Sequence, residues 1–100
     1  MNEVMKPTIG MAATIIWHSD RTAGTVVKIS KSGKTLWVQD DKATRTDNNG
    51  MSDSQEYVYE RNPNGKLTRF FLNKYGSWRE AGRGNFLRLG VRNHYHDFGF

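Results

Sequence analysis

Turn-forming residues cut this chain at intervals too short for ordinary helices, and that spacing constrains its architecture more than any other feature. Gly10, Gly24, Ser32-Gly33, Asn48-Asn49-Gly50, Asn62-Pro63-Asn64-Gly65, Tyr75-Gly76 and Gly82-Arg83-Gly84 interrupt its 100 residues. The segments between them run from 11 to 17, 25 to 31, 34 to 41, 55 to 61, 66 to 72, 77 to 80 and 86 to 95. They are rich in β-branched and aromatic side chains, the composition of strands, and turn residues separate them. Nowhere do apolar residues recur at helical spacing over a dozen positions. Seven short strands with no helix to cover a sheet close most economically into a barrel, because closure removes exposed edges. The expected fold is therefore all-β: a small SH3-like barrel of five to seven antiparallel strands with one long ordered loop. An OB-type barrel is the nearest rival, but it is usually longer and carries a helix. Residues 10–98 are expected to form one domain, with 1–9 a flexible arm and 99–100 the end of the chain.

Three hairpins are predicted from turn chemistry. Lys31-Ser32-Gly33-Lys34 offers a glycine for a tight turn between TVVKIS and TLWVQD. Asn62-Pro63-Asn64-Gly65 has proline where a type I turn favours it and Asn-Gly for a left-handed step, which predicts a pairing of QEYVYER with KLTRFFL. Lys74-Tyr75-Gly76-Ser77 returns the chain into SWRE, completing a three-stranded meander. Alternation places Val27, Ile29, Leu36 and Val38 inside, and Lys28, Ser30, Thr35, Trp37 and Gln39 outside. It also sets Tyr57 and Tyr59 on one face against Glu56, Val58 and Glu60, and points Phe70 and Phe71 to opposite sides.

The stretch from Thr44 to Tyr57 has acids and amides spaced almost as in a calcium-binding loop. With Gly50 at the sixth position, Asp47, Asn49 and Glu56 fall on the third, fifth and twelfth. The first position is Arg45, a cation where that loop needs its leading carboxylate, and the eighth is Ser52. The expectation is instead an ordered loop without an ion, built on Arg45, Asp47, Asn49, Gly50 and Asp53, with Arg45 bridging Asp47, Asp53 or Glu56.

Charge is unevenly distributed. Residues 1–60 carry seven Lys or Arg against eight Asp or Glu, a balance of −1, and residues 61–100 carry eight against two, a balance of +6. Six of the eight later cations are Arg61, Arg69, Arg79, Arg83, Arg88 and Arg92, of the type suited to bidentate phosphate contact and to stacking on bases. Together with the outward Trp37, they define an expected contact surface of Lys28, Lys34, Trp37, Arg69, Arg79, Arg83, Arg88 and Arg92 for nucleic acid or for a nucleoprotein or protein complex.

Several other chemistries find no support. Without cysteine there are no disulfides, thiolate metal sites or cysteine nucleophiles. The longest apolar run, Met11 to Trp17, is too short to span a bilayer as a helix, so no membrane partner is expected. No glycine-rich phosphate loop, G-x-S-x-G or H-E-x-x-H motif is present, and His18, Ser19 and Asp20 are neighbours whose side chains diverge on a strand. His94 and His96 would share a face on a strand but need a third ligand from elsewhere, such as His18 or Asp20. The expected protein is a binding module rather than an enzyme, with no cofactor and no metal.

The combination of GMAATIIWHSDRTAGTVV, VQDDKATRTDNNGMSDSQEYVYERNPNGK, KYGSW and LGVRNHYHDF resembles a family of small uncharacterised proteins from phages, prophages and mobile elements. DKATRTDNNGMS is its specific part, and the resemblance runs from about Gly10 to Phe98. It implies a small β-barrel in a mobile-element context and brings no catalytic residues; the absence of cysteine fits the reducing cytoplasm of a bacterial host. Proteins of that setting include nucleic-acid binders and inhibitors of host defence complexes, such as anti-CRISPR proteins. An inhibitor of that kind is the alternative expectation for this chain.

Overall fold

The computed structural model describes residues 6–17, 20–48, 50 and 55–95, and these contain eight strands and no helix. They are β1 (Ala12–Ile16), β2 (Arg21–Ile29), β3 (Thr35–Asp40), β4 (Lys42–Arg45), β5 (Tyr57–Glu60), β6 (Leu67–Leu72), β7 (Trp78–Glu80) and β8 (Phe86–Leu89). Six of them form a closed antiparallel barrel in the order β1-β2-β3-β6-β7-β8, with β8 returning to pair with β1. Strands β4 and β5 pair only with each other, as a two-stranded ribbon inserted between β3 and β6. The fold is thus a small SH3-like barrel carrying one ribbon.

Alternation along each strand fills the barrel. Ala13, Ile15, Val26, Leu36, Val38, Phe70, Trp78 and Leu87 form its core, and Met11, Trp17, Ile29, Leu72 and Leu89 close around them. Each large aliphatic or aromatic side chain buried there contributes about 1.5–3 kcal/mol by leaving water. Phe70 is fully buried and Phe71 is 42% exposed, as the alternation requires. On the ribbon, Tyr57 and Tyr59 turn inward and Val58 outward. Lys28 and Trp37 are paired on the outer face. A register shift between Val26 and Lys28 is a β-bulge, which makes Val26 rather than Val27 the fully buried residue.

Three expectations are corrected. The segment ending in Tyr57–Glu60 does not pair with Leu67–Leu72: it folds back on Lys42–Arg45, and β6 pairs with β3. Residues 86–95 are not one strand, since Gly90 takes a positive φ of 83° and residues 91–94 run on as a strap, regaining pairing only where Tyr95 bridges Arg21. The Asn62-Pro63-Asn64-Gly65 turn does form, with the Gly65 N–H donating to the Asn62 carbonyl (2.9 Å), but Gly65 has no positive φ.

Glycine is needed at position 65 for close approach instead. A Cβ there would stand 2.2 Å from the Asp40 carbonyl oxygen and 3.1 Å from that of Asn62, both backbone atoms. This is where the ribbon rejoins the barrel, and Asp40 N–H donates to the Lys66 carbonyl beside it. Gly65→Ala is expected to lower stability by about 1–3 kcal/mol, the usual range for overfilling a packed site, measured by urea unfolding against the unchanged chain.

Candidate nucleic-acid interface

The barrel pairing assembles two rows of outward side chains across five strands. In the first, Lys28 on β2 faces Trp37 on β3, which faces Arg69 on β6. In the second, Thr35 on β3 faces Phe71 on β6, Phe71 faces Arg79 on β7, and Arg79 faces Phe86 on β8. Cation and ring alternate across the strands, and neither row holds an acidic side chain. The Lys28 ammonium lies 4.7 Å from the centre of the Trp37 ring, and the Arg79 guanidinium stands 3.7 Å from that of Phe86. Both are within the range of cation–π attraction.

Single exposed apolar residues need no explanation on a small barrel, but their grouping does. Four of the seven large exposed hydrophobic residues among those described lie on β6, β8 and the intervening β6–β7 turn: Leu67, Phe71, Tyr75 and Phe86. Lys74 reaches over Tyr75 at 5.2 Å, so the mixture of ring and cation extends to the end of the β6–β7 hairpin.

The eight expected contact residues separate into three groups. Lys28, Trp37, Arg69 and Arg79 stand together in the two rows. Lys34, Arg83 and Arg88 are exposed around them: Lys34 precedes β3, Arg83 sits in the β7–β8 turn, and Arg88 follows Phe86 outward on β8. Arg92 belongs elsewhere. Its Nε–H donates to Asp41 Oδ2 and its second guanidinium nitrogen to Thr25 Oγ1 (3.1 Å), and Thr25 in turn donates to Asp41 Oδ1 (2.7 Å). The Asp41 side chain is 2% exposed, so Arg92 serves as the counterion of a buried carboxylate.

That ion pair holds the strap against the barrel. Thr14 donates to the Val91 carbonyl (2.6 Å) and accepts from Asn93 N–H (3.1 Å). His94 N–H donates to the Tyr59 hydroxyl (3.0 Å), and the His94 ring meets Tyr57 edge-on at 4.7 Å. The strap therefore lies between the outer wall of β1–β2 and the inner face of the ribbon. His94 is held against an aromatic ring, and among the described residues no three His, Asp or Glu side chains are placed to hold a metal ion. His18, Ser19, His96 and Asp97 lie outside the described residues.

The loop is tied at its base by the expected bridge. Arg45 Nε–H donates to both oxygens of Asp47 (2.9 and 3.1 Å), and Asp47 Oδ2 also accepts from Glu56 N–H (2.7 Å). The hydrogen bond to Asp47 raises Arg45 above its ordinary pKa. Gly50 adopts a positive φ of 61°, and Asn49 and Asp53 lie outside the described residues.

The expected contact surface left out two rings and one cation that lie on or beside it, Phe86, Trp17 and Lys66. Phe86 was legible as outward, since Leu87 and Leu89 face in along β8. Trp17 and Lys66 were not, because their approach, 5.7 Å from ammonium to ring centre, joins chain positions far apart. Beside Lys66, Asp40 has a buried Oδ1 with no hydrogen-bond partner. Burial pushes its carboxyl above the ordinary value of 3.8, Lys66 pulls it back and Asp41 adds to the rise. A carboxyl raised in the folded state weakens folding above its folded pKa, and that penalty fades as the pH falls toward its unfolded value. Asp40→Asn is thus expected to raise the melting temperature at pH 7, with an advantage that shrinks as melts are taken further into the acid range.

Comparison with known proteins finds no matching family model, no matching curated protein and no matching solved structure.

Proposed function

We propose that this protein binds single-stranded nucleic acid on the outer face of β2, β3, β6, β7 and β8. The observation that carries this reading is the pair of rows Lys28–Trp37–Arg69 and Phe71–Arg79–Phe86, in which each ring has a cation beside it across the sheet. Single strands offer unstacked bases to rings and phosphates to cations, which is the chemistry of such a surface. In a duplex the bases are stacked on one another, and Phe71 and Phe86, on a barrel wall, have no access to them. Lys34, Arg83 and Arg88 extend the positive field around the rows, and Arg92 has no part in it. The proposal includes the phage or mobile-element setting that the resemblance implies. Binding of a fluorescent single-stranded oligonucleotide, measured across a series of salt concentrations, tests the reading. Affinity that falls steeply with salt and is shared by many sequences supports it, and an absence of binding at low salt contradicts it.

A second reading, an inhibitor that binds one host protein, draws on the ribbon. Among the described residues β4 and β5 pair with no strand but each other, and Val58 on β5 is 53% exposed. The edge of such a ribbon can pair with a strand of a partner. Capture of one host protein that survives nuclease treatment, with no retention of nucleic acid, favours that reading over the first.

A further inference from the structure

Two open grooves, each about 330 Å³, flank the β7–β8 turn. One is polar and positively charged: Lys66, Arg69 and Arg83 line it together with Glu80 and Thr68. The other is apolar, bounded by Ile16, Trp17 and Phe86, with Asn85 at its edge. They are joined at two points. The Lys66 ammonium of the first lies 5.7 Å from the Trp17 ring of the second, and Asn85 Nδ2 of the second donates to Glu80 Oε1 of the first (3.0 Å).

The two halves have complementary chemistry. Glu80 is 7% exposed and is answered by the Asn85 amide and by Arg83, whose Nε lies 3.9 Å away, so Lys66, Arg69 and Arg83 line the groove against one acid. Thr68, 5% exposed, also lines this groove, and its hydroxyl is buried without a partner. An anion with hydrogen-bonding oxygens suits that lining. The groove beside it is lined by two aromatic side chains, Trp17 and Phe86, and Trp17 is fixed by its indole N–H, which donates to Thr22 Oγ1 (2.8 Å). A flat aromatic ligand suits that lining.

We infer that this end of the barrel holds one nucleotide, its base in the slot beside Trp17 and Phe86 and its phosphate on Lys66, Arg69 and Arg83. The inference deepens the strand-binding reading and rests on it for the class of ligand. Arg69 belongs both to the positive groove and to the row Lys28–Trp37–Arg69, so the site continues the proposed strand path. The ligand is a nucleoside monophosphate, either free or at the phosphorylated end of a strand.

The test is an NMR titration of the full chain with adenosine 5′-monophosphate, adenosine and inorganic phosphate, read at the Trp17 indole N–H and the Asn85 side-chain amide. Adenosine monophosphate is expected to shift both signals and to bind roughly tenfold more tightly than phosphate, the gain of one stacked base. Arg83→Gln should weaken the nucleotide and phosphate and spare adenosine, and Trp17→Leu should weaken the nucleotide and adenosine and spare phosphate. Should Trp17→Leu fail to fold, Phe86→Ser removes the other, exposed aromatic side chain of the groove. Shifts absent from Trp17 and Asn85, or confined to Trp37, overturn the inference. A 5′-phosphorylated oligonucleotide that displaces the nucleotide where its 5′-hydroxyl counterpart does not assigns the site to a strand end, and displacement by neither assigns it to the free nucleotide. Oligonucleotide binding without these shifts sinks the inference alone, and these shifts without oligonucleotide binding sink the strand reading alone.

Discussion

Arg92→Ala is expected to lower the stability of the fold by about 3 kcal/mol, the lower end of what removing one partner of a buried ion pair costs. The carboxylate left behind is the reason. Asp41 is 2% exposed at its side chain, and without the guanidinium its remaining side-chain donor is the Thr25 hydroxyl. Arg92 itself is 30% exposed, which keeps the loss at that lower end. A domain of this size has about 5–15 kcal/mol in total, so the melting temperature should fall by more than about 10 °C. Arg88→Ala is the control: exposed on β8, it should cost no more than about 0.5 kcal/mol. Arg92→Ala combined with Asp41→Ala should cost less than the sum of the two single changes, because they share one interaction. Equal losses for Arg88→Ala and Arg92→Ala would remove the strap from this account.

Trp37→Ala and Phe71→Ser produce the largest expected loss of function. Each ring that stacks on a base is worth about 1–3 kcal/mol, so the double variant should bind a single-stranded oligonucleotide at least tenfold more weakly, by roughly that measure. Both side chains lie on the outer face, Phe71 at 42% exposure, and neither belongs to the core. Folding should therefore be little changed apart from the loss of the Lys28–Trp37 contact, about 0.5–1 kcal/mol for an exposed cation–π pair. Fluorescence anisotropy with the oligonucleotide and a thermal melt separate the two effects. A variant that melts normally and binds as tightly as the parent chain would show that these rings are ordinary surface.

The barrel was legible in the sequence because its determinants are local. Most turn residues bounded strands, though Gly24 lies within β2, and alternation set the inward faces, down to the opposed rings of Phe70 and Phe71, except where the bulge buried Val26 in place of Val27. The ribbon was not legible, because its pairing is a long-range choice. Lys42-Ala43-Thr44-Arg45 has one β-branched residue and no aromatic, and it becomes a strand only by pairing with Tyr57–Glu60. The turn at Asn62–Gly65 was predicted from its own chemistry, yet that chemistry does not determine which strands pair on either side of it. The cationic face followed the same division. Alternation placed Lys28 and Trp37 outside, and barrel register then brought Arg69 beside them. Arg88 and Arg92 look alike in sequence, four residues apart in one run. Gly90 between them redirects the chain, leaving one in solvent and the other on Asp41.

Contact between the outer rows and phosphates is tested most directly by the salt dependence of binding. For a single strand, each phosphate contact contributes about 0.7 to the slope of log affinity against log salt. Lys28→Ala with Arg69→Ala should thus make the slope shallower by about 1.4, alongside weaker binding at low salt. The slope is measured by anisotropy with one single-stranded oligonucleotide over a salt series, for the parent chain and the double variant. A slope shallower by that amount is the predicted result, and an identical slope for the two proteins would contradict the account.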